Sequence, residues 1–143
     1  MVYVVGVQSS VRFWAPGTAP LPPKAWSGQG RPPTLLRHDA KIQPLSVGRL
    51  AAALPDEVWR DIAWREGVER TLRSRFAAAR VRPAHRDYWR SQPHDEEWVL
   101  IEWPEGESAP TKFCLSTSPA NAPLARLFET AKLRWRIERD PRL

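Results

Sequence analysis

Glu97-Trp-Val-Leu-Ile-Glu-Trp103 is the run on which the reading of the fold turns. Side chains alternate across a strand, so Trp98, Leu100 and Glu102 go to one side and Val99, Ile101 and Trp103 to the other. Pro104-Glu-Gly-Glu107 then reads as a turn, and Thr111 to Thr117 as the returning strand of a hairpin with a longer loop. Upstream, Glu57 to Glu66 alternates around Trp59, Ile62 and Trp64 and predicts another strand. Arg73 to Arg86 sets Phe76, Ala78 and Val81 among arginines, which predicts a strand with a basic outer face, and Pro83 argues for a sheet edge.

Towards the N-terminus, Val2 to Val7 is apolar, rich in β-branched residues and bounded by Gln8-Ser-Ser10, so a buried strand is expected. Between Pro16 and Pro44 prolines and glycines are dense, as in Leu21-Pro-Pro23 and Arg31-Pro-Pro33, and predict extended loop structure. Ser46 can cap a short helix over Val47 to Leu54, which Pro55 ends. After the linker Ser118-Pro-Ala-Asn-Ala-Pro123, the proline suits the first turn of a final helix. Leu124, Leu127, Phe128, Ala131 and Trp135 form its apolar stripe, Glu138 continues that line, and Pro141 stops propagation.

The 143 residues fit one domain with a modest core, and 42% hydrophobic with 27% charged residues is the balance of a soluble globular protein. Eight tryptophans need a sizeable sheet surface to cover them. The net charge of +6 points towards polyanions, and its distribution says more. Residues 70–90 carry seven arginines against one aspartate, and residues 131–143 five basic against two acidic residues, whereas residues 91–130 carry seven acidic against two basic. Two basic regions around an acidic one suit selective contact with a phosphate backbone. Arg75, Arg80 and Arg82 are the strand residues expected to touch DNA on this ground.

Cys114 is the lone cysteine, which excludes an internal disulfide and favours core packing over nucleophilic use; His38, His85 and His94 stand at no metal-ligand spacing. No glycine-rich phosphate loop, heptad pattern or internal repeat supports nucleotide binding or a coiled coil. No apolar run reaches the length of a membrane span and no signal peptide is visible, so the expected location is cytoplasmic.

Ala131-Lys-Leu-Arg-Trp-Arg-Ile-Glu-Arg139 resembles the signature of bacterial insertion-sequence transposases of the Asp-Asp-Glu superfamily. In that family a Tyr-x2-Arg-x3-Glu-x6-Lys motif lies on the last helix of a ribonuclease-H-like core. Arg134 and Glu138 fall on its Arg and Glu, Ala131 stands at the Tyr position, and the Lys position falls past Leu143. Tyr3 to Val7, Trp64 to Gly67, Arg80 to Trp89 and Ile101 to Gly106 are similar to the stretch between the family's second Asp and its Glu.

The resemblance implies an α+β fold: a partial ribonuclease-H-like core with a β-rich insertion and a C-terminal helix. Its divisions are a core strand at 1–9, a Pro-rich loop and short helix at 10–56, the insertion at 57–117 and the Glu-bearing helix at 123–140. It implies that Glu138 is the catalytic and metal-binding carboxylate and that Arg134 grips DNA phosphate at the transposon end. Intact members use magnesium to cut and join DNA, which takes three converging carboxylates.

The two aspartates are expected upstream of Met1, making this chain a truncated fragment that binds no magnesium and is inactive alone, with transposon-end DNA and a full-length transposase as partners. Asp39, Asp56, Asp61, Asp87, Asp95 and Asp140 are not expected to substitute, and Asp56 and Asp61 read as solvated. From spacing alone, Glu138 reads as an exposed residue paired with Arg134 or Arg142, worth roughly 0.3–0.5 kcal/mol. A rival from another class is a small basic DNA- or RNA-binding module that stacks bases on tryptophans, and a third is an inhibitor of an intact transposase.

Overall fold

A computed structural model describes the backbone of residues 4–65 and 71–139, and the side chains of these apart from residues 64, 65, 71, 72 and 134–139. The strands are β1 (Val4–Gly6), β2 (Arg12–Trp14), β3 (Leu45–Ser46), β4 (Arg60–Arg65), β5 (Thr71–Pro83), β6 (Glu97–Pro104) and β7 (Lys112–Ser116). Two helices accompany them, α1 (Val47–Ala53) and α2 (Leu124–Arg139). The strands form one sheet in the order β1-β7-β6-β5-β2-β3, with β4 also paired to β5, and every pairing between them is antiparallel.

The expected α+β class and the β6–β7 hairpin are present, with Leu100 opposite Cys114 and Ile101 opposite Phe113. The expected split of β6 also holds. Val99 and Ile101 join Ala77, Ala79, Val81, Phe113 and Trp59 in a core that α1 covers with Val47, Leu50 and Ala51. Trp98 and Leu100 join Phe76 and Cys114 in a second core that α2 covers with Leu127, Phe128 and Ala131. Cys114 is fully buried there, as core packing requires.

Helix α1 begins where Ser46, in extended conformation, accepts a hydrogen bond from the Arg49 backbone N–H at 3.3 Å. Two more of its N-terminal N–H groups, which no helix can satisfy internally, donate to the loop before β2: Val47 to Val11 at 2.7 Å and Gly48 to Ser9 at 3.1 Å. A Cβ at Gly48 would stand 3.4 Å from the Ser9 carbonyl oxygen, at the near limit of ordinary contact, so the helix start and the loop before β2 are closely packed here.

Three expectations change. The first strand is not buried: β1 pairs only with β7, and Val5 is 43% exposed. The Arg73–Arg86 strand is not at an edge: β5 is flanked by β6 on one side and by β4 and β2 on the other, and Pro83 only closes it, opposite Phe13. Nor does β5 have a basic outer face, because both of its faces are covered. Alanines at 77, 78 and 79 leave room for a helix on each side. The stretch between Ala15 and Pro44 has no regular structure beyond one bridge, Leu21 to Arg37, as its prolines predict.

Phe76, wholly buried, meets Phe128 with ring centroids 5.3 Å apart and so fastens α2 to the sheet. Phe76→Ala is expected to cost about 3–5 kcal/mol of unfolding free energy, measured by urea denaturation; a loss under 1 kcal/mol would contradict this packing.

Candidate nucleic-acid interface

Helix α2 is the element on which Arg134 and Glu138 lie. It is seated by Leu127, Phe128 and Ala131, with Val4 of β1 packed against the same cluster. The side chains of Arg134 and Glu138 lie outside the described residues, and so do Trp135 and Pro141; Leu124, expected in the apolar stripe, is 36% exposed.

The β5 arginines are divided between the two faces and largely engaged. The Arg75 guanidinium carbon lies 5.5 Å from the Trp59 ring centroid and 5.3 Å from that of Trp103, and Nε is 3.9 Å from the exposed Asp61 carboxylate. Arg80, on the other face, lies 5.3 Å over Trp98 and donates to the carbonyls of Glu96 and Ser118. Arg82 donates to the His94 carbonyl at 2.8 Å and stands 3.8 Å from Glu96. These cations stack on tryptophans or bond the main chain, so the charge that pointed to DNA does not form one strip along β5. Arg75 also borders a cleft of about 520 Å³, whose rim mixes Arg73 with Asp61, Glu105 and Glu107.

A different group of residues is organised beyond the end of β5. Ala84 donates its N–H to the Arg12 carbonyl, which carries the chain past Pro83. Arg86 then takes the left-handed conformation, φ 55° and ψ 33°, and Asp87–Trp89 form a 3-10 turn. For a residue other than glycine that conformation costs on the order of 1–2 kcal/mol, so its surroundings must impose it. They do so through Asp87, which is 1% exposed and accepts a hydrogen bond at 2.6 Å from Nε1 of the fully buried Trp14.

Arg90 is tied on the far side of the turn, its carbonyl accepting the Leu36 N–H at 2.8 Å, so the Pro-rich loop is anchored there too. His38 sets its ring edge-on to Trp14. His94 Nε2 lies 2.6 Å from the His85 carbonyl and 3.9 Å from Asp87 Oδ1. A nitrogen that close to a carbonyl oxygen carries the proton and donates it.

With Asp87 held inward, Tyr88 and Trp89 face out, 55% and 65% exposed. Their rings meet at 5.2 Å in a T-shape, and the Arg86 guanidinium lies 5.5 Å from the Trp89 centroid. The sequence reading set Asp87 aside with the other aspartates. The available signal was local: an aspartate beside two aromatics, four residues after a strand-ending proline, is turn chemistry.

Residues 1–71 match the family described as DDE superfamily endonuclease. No curated protein and no solved structure matches the chain. The matched span covers β1 to β4 and α1 and ends at Thr71, where β5 begins; α2, with Arg134 and Glu138, lies outside it. The family implies a DNA substrate and, in its intact members, metal-dependent catalysis. No described helix is long and apolar enough to cross a membrane.

The described residues do not fit a magnesium pair. Among them no three His, Cys, Asp or Glu side chains gather. The buried carboxylates among the described residues are Asp87 and Glu102, and each accepts a structural hydrogen bond, Glu102 from Ser74 at 3.3 Å. Glu102 lies opposite Phe76, whereas Asp87 follows Pro83. Seven residues of strand separate those levels, roughly 23 Å, against the ~4 Å between two catalytic ions. Asp56 and Asp61 are exposed, as expected.

Asp87→Ala leaves the buried Trp14 N–H without its acceptor and is expected to cost about 2–3 kcal/mol. Asp87→Asn keeps an acceptor and is expected to cost less. Urea melts of the two variants check this order; equal losses would remove the Trp14 bond from the account.

Proposed function

We propose that this chain acts in DNA transposition as part of a DDE transposase catalytic domain. Glu138 is then the third carboxylate of the catalytic set and Arg134 a phosphate contact at the transposon end. In this reading β1 and α2 are its share of the ribonuclease-H-like core, and residues 57–117 are the β-rich insertion, joined to that core by the β1–β7 pairing. The observation that carries the reading is the seating of α2. The helix bearing Arg134 and Glu138 packs against β1, the first strand of the family-matched span, through Val4, Leu127, Phe128 and Ala131. A guanidinium suits the assigned task because its planar fork meets phosphate oxygens in pairs.

Cutting and joining phosphodiesters is the metal-dependent chemistry of the intact family. In the same reading this chain does not perform it alone, since the two buried carboxylates among the described residues are committed to Trp14 and Ser74 and stand too far apart to share ions. What its own residues do is bind and orient DNA, in the cytoplasm and in company with an intact transposase.

The test is a pair of measurements on the purified chain. Duplex DNA binding is expected to weaken steeply with salt, and Arg134→Ala to reduce the slope of log affinity on log salt by about 0.9. An unchanged slope removes Arg134 from the interface. No nicking is expected with magnesium; nicking that disappears in Glu138→Gln would overturn the inactive half of the reading and establish Glu138 as catalytic.

A further inference from the structure

The carboxylate that anchors the connection between β5 and β6, residues 84–96, is satisfied on one side only. Asp87 Oδ2 accepts the Trp14 indole N–H at 2.6 Å, whereas Oδ1 meets no hydrogen-bond donor among the described residues, in a side chain that is 1% exposed. A buried carboxylate oxygen left in that state is costly, and in a native protein it marks the place of a water or an ion. His94, at the other end of the same connection, brings Nε2 to 3.9 Å from Oδ1 and to 2.6 Å from the His85 carbonyl oxygen. A carboxylate oxygen, an imidazole nitrogen and a main-chain carbonyl thus converge. The His94 side chain is 24% exposed, so the cluster has a route to solvent.

We propose that Asp87 and His94, with the His85 carbonyl, bind a divalent transition-metal ion of the zinc type. Imidazole with carboxylate is a donor set that selects zinc-like ions over magnesium, which prefers oxygen alone. With bonds of about 2.0 Å, tetrahedral ligands stand roughly 3.3 Å apart, so the His94–Asp87 gap has to close slightly and the His94–His85 contact to open. The proton on Nε2 passes to Nδ1, which leaves the ring neutral and turns the Nε2 lone pair to the ion.

Both side chains are already oriented from behind, as metal ligands are. Asp87 is fixed by Trp14, and the main chain of His94 is fixed by Arg82, which donates to its carbonyl at 2.8 Å. Arg82 is itself 3.8 Å from Glu96, so the nearby cation has its own counter-charge. Among the described residues no third His, Cys, Asp or Glu side chain joins the pair, and water completes the shell. The ion closes the base of the β5–β6 connection and takes no part in phosphodiester chemistry, so the inference goes beyond the transposase reading and does not lean on it.

The test uses the full chain without a histidine tag, stripped with a chelator that is then removed, and the chlorides of zinc and magnesium. Isothermal titration is expected to show one saturable zinc site and no magnesium binding at the same concentration, and zinc to raise the midpoint of thermal unfolding. In NMR spectra the His94 ring is expected to shift on zinc addition while the His38 and His85 rings stay in place. His94→Gln and Asp87→Asn are each expected to weaken zinc binding by about tenfold or more. The first keeps a side-chain N–H for the His85 carbonyl and the second an acceptor for Trp14, and circular dichroism checks that both remain folded. His38→Gln, which leaves the ligands untouched, is expected to change zinc affinity less than about twofold.

If zinc does not bind, if magnesium binds as well, if both variants keep the unaltered affinity, or if the His94 ring does not move, the Asp87 oxygen is matched by water and the inference falls. Each of these outcomes leaves the transposase reading, which rests on Arg134 and Glu138, where it stood.

Discussion

Strand β5 has no free face along its middle, and most of the molecule's arrangement follows from that. Ala77, Ala78 and Ala79 occupy the crossing point of two cores, one under α1 and one under α2. Small residues are required because helices approach from both sides, and any larger side chain would hold one of them off. The arginines that flank this apolar stretch cannot be buried unpaired. They are displaced to the ends of the strand, where Arg75 lies near Trp59 and Trp103 while Arg80 and Arg82 bond the backbone beside β6. Arginine suits these positions because its flat, weakly hydrated cation stacks on indole while its N–H groups still reach carbonyls. Positive charge that reads in the sequence as a binding strip is therefore partly spent on closing the ends of the sheet.

Beyond Pro83 the same logic runs in reverse. There a carboxylate goes in and the aromatics come out. Trp14 is wholly buried and its indole N–H requires an acceptor, which Asp87 supplies. The bond joins β2 to the turn after β5, and the Leu36 to Arg90 hydrogen bond adds the Pro-rich loop, so a segment without regular structure still has a fixed seat. That seat holds Arg86 left-handed and keeps Tyr88 and Trp89 from folding inward.

The sequence disclosed what is decided locally. The β6–β7 hairpin follows from alternation and a Pro-Glu-Gly turn, α1 from Ser46 and Pro55, and α2 from a three-and-four residue stripe after Pro123. It did not disclose what depends on distant partners. Pro83 suggested an edge, yet a proline at the last residue of a strand is compatible with a central position, and only the pairings of β2 and β4 reveal it. The burial of Asp87 was not legible, because the indole that makes it tolerable is 73 residues upstream. Arg134 and Glu138 were found by resemblance to a motif, and the structure adds the seating of their helix, a matter of Leu127, Phe128 and Ala131.

That seating bears on how the family-matched half can work. Among the described residues of 1–71, strand pairing amounts to the short β2–β3 contact, one isolated bridge and the first pair of β4 with β5. Strand β1 is held by β7, more than a hundred residues later, and β4 and β2 are both held by β5. Residues 1–71 therefore have almost no sheet of their own and acquire one only when β5, β6 and β7 are in place. Such long-range antiparallel closure is slow to form and favours cooperative folding, because each partial structure leaves edges and apolar faces uncovered. Any part the matched segment takes in handling DNA is consequently conditional on the unmatched half. The strands that complete its sheet also carry the Asp87 turn at one end and receive α2 on one face. The endonuclease-like segment, the aromatic turn and the Glu138 helix thus share one structural fate: a substitution that loosens β5 disturbs all three.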